Sequence, residues 1–115
     1  MGNSNGLVIT GGVEASLSNT LIAGSSNIGV LAYSGTTNIE SCQIVNGNTG
    51  IDAGYGAGIA RVSNTVITFN NIGIDVNTAF GGHGSYETRQ NNTLRGNGTD
   101  ISATAAAHIT TFTAW

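Results

Sequence analysis

The stretch "SCQIVNGNTGIDA" (residues 41–53) aligns without a gap on "NTVITFNNIGIDV" (64–76), 23 positions later. "NTLIAGSSNIGVLA" (19–32) fits the same frame with one extra residue, and "NNTLRGNGTDISA" (91–103) continues it at a spacing of 27. At the front, "NGLVIT" (5–10) matches only the last third of the unit, so the chain is expected to start partway round a turn. A fixed period of this length marks a solenoid, in which each unit buries its apolar face only against its neighbours.

Within each unit the apolar residues are spaced by two in short bursts: Ile39, Ile44, Ile51 and Ala53 in one, Val62, Ile67, Ile74 and Val76 in the next. Period two means strand, and the bursts are too short for helices. Gly and Asn between them suit left-handed corners, so each unit reads as three short strands and three corners. Composition agrees: 18 Gly, no Pro, no Lys and only 8% charged residues leave the chain without the Glu, Lys, Leu and Ala that a helical bundle needs.

The alternation predicts three inward ladders: Leu7, Val30, Ile51, Ile74 and Ile101; Ile22, Ile44, Ile67 and Leu94; and Leu17, Ile39 and Val62. Ala32, Ala53 and Val76 are also expected inside. Asp52 and Asp75 then fall on the outward step, with Val8, Leu31 and Ser102 in the same ladder. Cys42 is equivalent to Thr20, Thr65 and Asn92 at an inward-leaning corner, where a lone cysteine acts as a small apolar filler. Asn70 and Asn97, with Gly47 and Ser25 at equivalent places, suit a partial asparagine stack that satisfies corner backbone groups.

These repeats resemble the right-handed parallel β-helix of the pectin-lyase-like superfamily, in its bacterial repeat form. Val62, Thr65, Ile67, Asn70, Gly73, Ile74 and Val76 carry the likeness, with Ile39, Cys42, Ile44, Gly47, Gly50, Ile51 and Ala53 one coil earlier. The resemblance implies an all-β, right-handed parallel β-helix of about five coils of roughly 22–23 residues. It leaves function open, because the superfamily includes lyases, hydrolases, epimerases, adhesins and phage tailspikes. Such proteins are often secreted or on the cell surface and are usually longer, so the chain is expected to be a C-terminal fragment or a minimal version. One domain is expected over 1–115: coils over 5–103, an insertion at 77–88, and a C-terminal cap at 104–115 in which Ile109, Phe112 and Trp115 cover the last coil.

The catalytic candidates are Asp52, Asp75 and His83. The two carboxylates should stack in adjacent coils about 5 Å apart, the arrangement that acid/base glycoside chemistry or a calcium-dependent lyase requires. "GGHGS" (81–85) resembles the Gly-His-Gly motif of the polygalacturonase branch, but the Asn-Thr-Asp, double-Asp and Arg-Ile-Lys motifs of that branch are missing here. The competing reading makes Asp52 and Asp75 solvated residues that keep a bland exterior soluble, and His83 a loop tip. That reading is preferred. Asp52 and Asp75 are also the sole calcium-ligand candidates, and no cofactor is expected.

A net charge of -3, with Arg61, Arg89 and Arg95 the only cations, removes the electrostatic term of nucleic-acid binding. No apolar run approaches the roughly 20 residues of a membrane-spanning helix. The start "MGNSNG" lacks the regions of a secretory signal, and the single Cys42 excludes an internal disulfide. Ice binding needs threonines in register over several coils, whereas Thr65 falls beside Cys42 and Thr68 beside Val45. Three functional readings remain: a non-catalytic structural or surface-interaction module, a carbohydrate-active fragment acting on acidic polysaccharide, or a truncated or engineered scaffold. For the first, the expected partner is a second copy of the chain. It would dock through an uncapped N-terminal coil or an apolar sheet face including Val8, Leu21, Leu31, Val45 and Val66.

Overall fold

The repeat becomes a stack of parallel strands in a computed structural model that describes residues 4–54, 58–76, 84–88, 91–102, 105 and 108–111. The first sheet contains β1 (Asn5–Ile9), β4 (Ile28–Ala32), β7 (Thr49–Asp52), β10 (Ile72–Asp75) and β13 (Thr99–Ile101) in that spatial order. The second runs β2 (Glu14–Ser18), β5 (Thr36–Glu40), β8 (Ile59–Ser63), β11 (Ser85–Thr88) and β14 (Ile109–Thr111). The third contains β3 (Leu21–Ala23), β6 (Gln43–Val45), β9 (Val66–Thr68) and β12 (Thr93–Arg95). Every neighbour in a sheet comes from the adjacent turn, which makes the molecule a parallel β-solenoid of about four turns. About five coils were expected; the five strands of a sheet bound four complete turns.

The three apolar ladders form in the expected register. Leu7, Val30, Ile51, Ile74 and Ile101 are successive Cα partners in the first sheet. Ile22, Ile44, Ile67 and Leu94 pair in the third, and Leu17, Ile39 and Val62 in the second. Their middle members, with Ala53, Val76 and Cys42, form the buried core. Leu7, Leu17 and Ile22 of the first turn are only half-buried, because β1, β2 and β3 are the outermost strands of their sheets at that end, and Ile101, expected inside, is 41% exposed on β13 at the other edge of the first sheet.

Corners repeat as faithfully as strands. Asn19, Ser41 and Asn64 precede the third sheet at φ of 50°, 55° and 47°; Gly24, Asn46, Phe69 and Gly96 follow it at 73°, 57°, 57° and 72°. Left-handed backbone suits Gly and Asn, so this explains their recurrence in the sequence. At the first corner one device is used three times. Thr20 Oγ1, Cys42 Sγ and Thr65 Oγ1 each donate to the carbonyl two residues back, at 2.8, 3.2 and 2.9 Å. At the second corner the asparagine stack forms: Gly47 N–H donates to Asn70 Oδ1 and Asn70 N–H to Asn97 Oδ1, both at 2.9 Å.

Two expectations change. Leu31, placed outside by alternation, is only 8% exposed, and every residue of β4 is buried; at Leu31 and Asp52 the outward step of the first sheet is covered. Within the segment expected as an insertion, Ser85–Thr88 is the regular strand β11, paired with both β8 and β14. The repeat distance is 23 residues from Ile51 to Ile74, 26 from Ala60 to Tyr86 and 27 from Ile67 to Leu94. Three of the extra residues therefore fall between β10 and β11, and one between β11 and β12. Ile109 of the expected cap lies in β14 and packs against the core; Phe112 and Trp115 lie outside the described residues.

A fourth inner ladder, of Ala15, Thr37, Ala60, Tyr86 and Ile109, completes the interior of the second sheet. Thr37 is fully buried, and its Oγ1 has no hydrogen-bond partner among the described residues. An unmet buried hydroxyl costs roughly 1–3 kcal/mol. Thr37→Val, which keeps the shape and removes the unmet group, is therefore expected to raise stability by about 1 kcal/mol in urea unfolding. A loss of stability would mean that the hydroxyl has found a partner.

Candidate functional site

The catalytic candidates fall in the first sheet. Asp52 ends β7 and Asp75 ends β10, and they are direct Cα partners in adjacent turns. Their ladder continues to Leu31 and Val8 on one side. On the other side is Ser102, which follows the Ile74–Ile101 pair. His83 lies outside the described residues, as does Arg89. The pair is thus assembled as the sequence predicts, about 4.8 Å apart along the stack.

The surroundings differ from the solvated exterior expected of it. Asp52 is only 3% exposed and Asp75 is half-buried. Asp75 is held by short-range bonds: its Oδ1 accepts from Val76 N–H at 2.9 Å and from Ser102 Oγ, which in turn accepts from Ala105 N–H at 3.0 Å. This relay ties the turn after β13 to the carboxylate of the turn before. Among the described residues no three His, Cys, Asp or Glu side chains come together in a way that could hold a metal ion. Arg61 is occupied on another sheet, where its Nε donates to Glu87 Oε2 at 2.8 Å.

Tyr86 is the participant the sequence did not announce. It occupies an inner position of β11, where the two preceding turns have Ala60 and Thr37, and its side chain crosses the core to the first sheet. There the hydroxyl lies 2.7 Å from the Ile51 carbonyl oxygen and 2.6 Å from that of Asp75, sharing one O–H between two acceptors. Burial, reinforced by the nearby Asp52 and Asp75 carboxylates, pushes the phenol pKa well above its ordinary value. A neutral phenol that bonds backbone carbonyls braces two sheets against each other. It offers no reactive group to solvent.

A second surface lies on the outer face of the third sheet. Leu21 is 63% and Phe69 68% exposed; Val66 is half-buried in the ladder Leu21, Gln43, Val66, and Val45 is half-buried in the next outward ladder, Ala23, Val45, Thr68. Phe69 is the only large side chain in the column of left-handed corners formed by Gly24, Asn46, Phe69 and Gly96. A bulky residue in this region is strained by about 1–2 kcal/mol. Its ring is packed beside Gly96, where an added Cβ would lie 3.7 Å from Phe69 Cε1 and 3.1 Å from Thr68 Oγ1. Val66, Thr68, Phe69, Thr93, Arg95 and Gly96 line a shallow groove of about 380 Å³ there.

Sequence reasoning named Leu21, Val45 and Val66 for this face but missed Phe69, whose position in the repeat was the available signal: an aromatic stands where the other turns have Gly or Asn. Among the described residues, no helix is long and apolar enough to cross a membrane. Comparison with protein-family models, with curated proteins and with solved structures gave no match to this chain.

Proposed function

We propose that this β-solenoid is a non-catalytic structural or surface-interaction module that associates with a second copy of itself through the outer face of the third sheet. The observation that carries this reading is Phe69: a ring 68% exposed, at a corner where a left-handed backbone disfavours it. Strain of this kind persists where function rather than stability selects the residue. The same sheet adds Leu21 two turns away, Val45 one turn away and Val66 in the groove itself, with Arg95 the only charged residue lining the groove, so two copies can approach without strong repulsion.

The test is sedimentation over a concentration series with Phe69→Asn, which restores the residue type of the equivalent Asn46 corner. Association is expected to weaken at least about tenfold, the factor that about 1.4 kcal/mol represents, while the monomer gains about 1 kcal/mol from relief of backbone strain. Wild-type protein that remains monomeric at every concentration overturns the reading, as does an Asn variant that associates as tightly as the wild type.

A second reading, lyase or hydrolase action on acidic polysaccharide, draws on the in-register carboxylates of Asp52 and Asp75. The burial of Asp52 argues against it, because a general acid or base must reach the glycosidic oxygen or a water beside it. A panel of acidic polysaccharides tests the two readings with wild type, Asp52→Asn and Asp75→Asn. Cleavage by the wild type that both variants abolish would establish the enzyme; equal inactivity of all three supports the interaction module.

A further inference from the structure

Asn46 and Asn97 are each followed by glycine at the second corner, and both glycine amides are held by one residue. Gly47 N–H donates to the side-chain Oδ1 of Asn70, and Gly98 N–H donates to the main-chain oxygen of Asn70, both at 2.9 Å. The two asparagine side chains differ. Asn97 Nδ2 is bound to the Ile67 carbonyl at 3.0 Å and to Asp100 Oδ1 at 2.9 Å. Asn46 is exposed, and no hydrogen bond restrains its amide among the described residues. An Asn-Gly peptide is the sequence in which a backbone amide nitrogen most readily attacks the preceding side chain, because glycine has no Cβ to obstruct the approach.

We propose that Asn46 is a latent site of self-modification, and that the Asn70 side chain one turn away sets its rate. In the reaction the Gly47 amide gives up its proton to a base, and its nitrogen attacks the Asn46 side-chain carbonyl carbon. The carbon–nitrogen bond to the side-chain amide breaks, ammonia leaves, and a five-membered succinimide forms. Water then opens the ring at one of its two carbonyls, giving aspartate or isoaspartate. Removal of the Gly47 proton is the step that Asn70 controls, because a donated N–H must first break its hydrogen bond before solvent base can reach it. Gly98 is guarded by a main-chain oxygen that no side-chain substitution removes, and when the bond from Asn70 Nδ2 to Asn97 Oδ1 at 3.1 Å is lost, Asn97 keeps its bonds to the Asn70 main-chain N–H, the Ile67 carbonyl and Asp100, so it serves as an internal control.

The products matter to the fold. Isoaspartate lengthens the backbone by one carbon at a corner stacked between Gly24 and Phe69, which share its left-handed conformation. Both products add a negative charge to a chain already at -3. Neither is reversed by the protein itself.

Asn70→Ala and Asn70→Asp separate the guard from general loosening. Both remove the donors that Asn70 supplies to the Ile44 and Thr68 carbonyls and to Asn97 Oδ1, at 3.1, 3.2 and 3.1 Å, but Asp keeps an oxygen to accept the hydrogen bond from Gly47 N–H. Intact protein is incubated at neutral pH, then digested and weighed peptide by peptide, with circular dichroism reporting the folded fraction. In Asn70→Ala, conversion at Asn46 is expected to accelerate about tenfold, with hydrogen exchange at the Gly47 amide accelerated in parallel, while Asn97 stays near the wild-type rate. In Asn70→Asp, Asn46 is expected to remain within about twofold of wild type. Folded Asn70→Ala with an unchanged rate at Asn46 overturns the proposal. So does equal acceleration in both variants, or equal acceleration at Asn46 and Asn97, since these outcomes follow from loosening alone.

Discussion

Gly50→Ala is expected to lower stability by about 3 kcal/mol, at the upper end of the range for overpacking a core. Gly6, Gly29, Gly50 and Gly73 form a column along the first sheet, each followed by an inward ladder residue. A Cβ at Gly50 would lie 2.5 Å from the carbonyl oxygen of Gly73 and 2.8 Å from Ile67 Cγ2; at Gly29 it would lie 2.6 Å from the carbonyl oxygen of Gly50 and 2.8 Å from Ile44 Cγ2. The first contact is with backbone, whose spacing from the next turn is fixed by the ladder hydrogen bonds at about 4.8 Å. Neither neighbour can move without parting two turns. Gly11 gives the contrast: it has φ of +76° and no atom within 4 Å of an added Cβ. Gly11→Ala should therefore show only the backbone strain of about 1 kcal/mol. Equal losses for the two variants in urea unfolding would show that contact between turns is not what requires glycine in the repeat.

Tyr86 has the second large effect, and it separates packing from hydrogen bonding. Tyr86→Ala should cost about 4 kcal/mol, as for other large buried aromatics. Tyr86→Phe keeps the ring and leaves the Ile51 carbonyl without the hydroxyl; the Asp75 carbonyl retains the Ala53 amide at 3.1 Å. A loss of about 2 kcal/mol is expected for Tyr86→Phe. The pH dependence follows from the raised phenol pKa. Below about pH 10 the folded and unfolded chains both keep the proton, and the stabilisation is complete. Above it the unfolded chain releases the proton first, so stability should fall by about 1.4 kcal/mol per pH unit until the folded pKa is passed. Tyr86→Phe should flatten this alkaline limb. Parallel limbs in wild type and variant would assign the loss to other groups.

Asp52 shows why the site was only half legible. Its pairing with Asp75 could be read directly, because a 23-residue offset in a gapless repeat fixes Cα register. Its burial could not, since alternation assigns a face and says nothing of what covers that face. Leu31 was misplaced for the same reason. Tyr86 was hidden by the uneven spacing around β11: three extra residues before it and one after break the frame in which its inward position would have shown.

Phe69 and Asn70 illustrate the opposite case, where the repeat contained more than was drawn from it. Once Gly24, Asn46 and Gly96 are aligned, Phe69 is the anomaly of its column. The stack of Asn70 on Asn97 was anticipated from equivalent positions alone. Its consequence for the Asn46–Gly47 peptide needed coordinates, because only they show which oxygen of Asn70 each glycine amide meets.

The sequence by itself determined the solenoid, its three apolar ladders and the residue types of its corners, because neighbouring turns impose the same short-range demands every 22 to 23 residues. The tertiary structure decided what breaks the repetition: the tyrosine that crosses the core, the covering of Asp52, and the exposure of one strained phenylalanine. Periodic pattern reports contacts between equivalent residues, and these features depend on contacts between residues that are not equivalent.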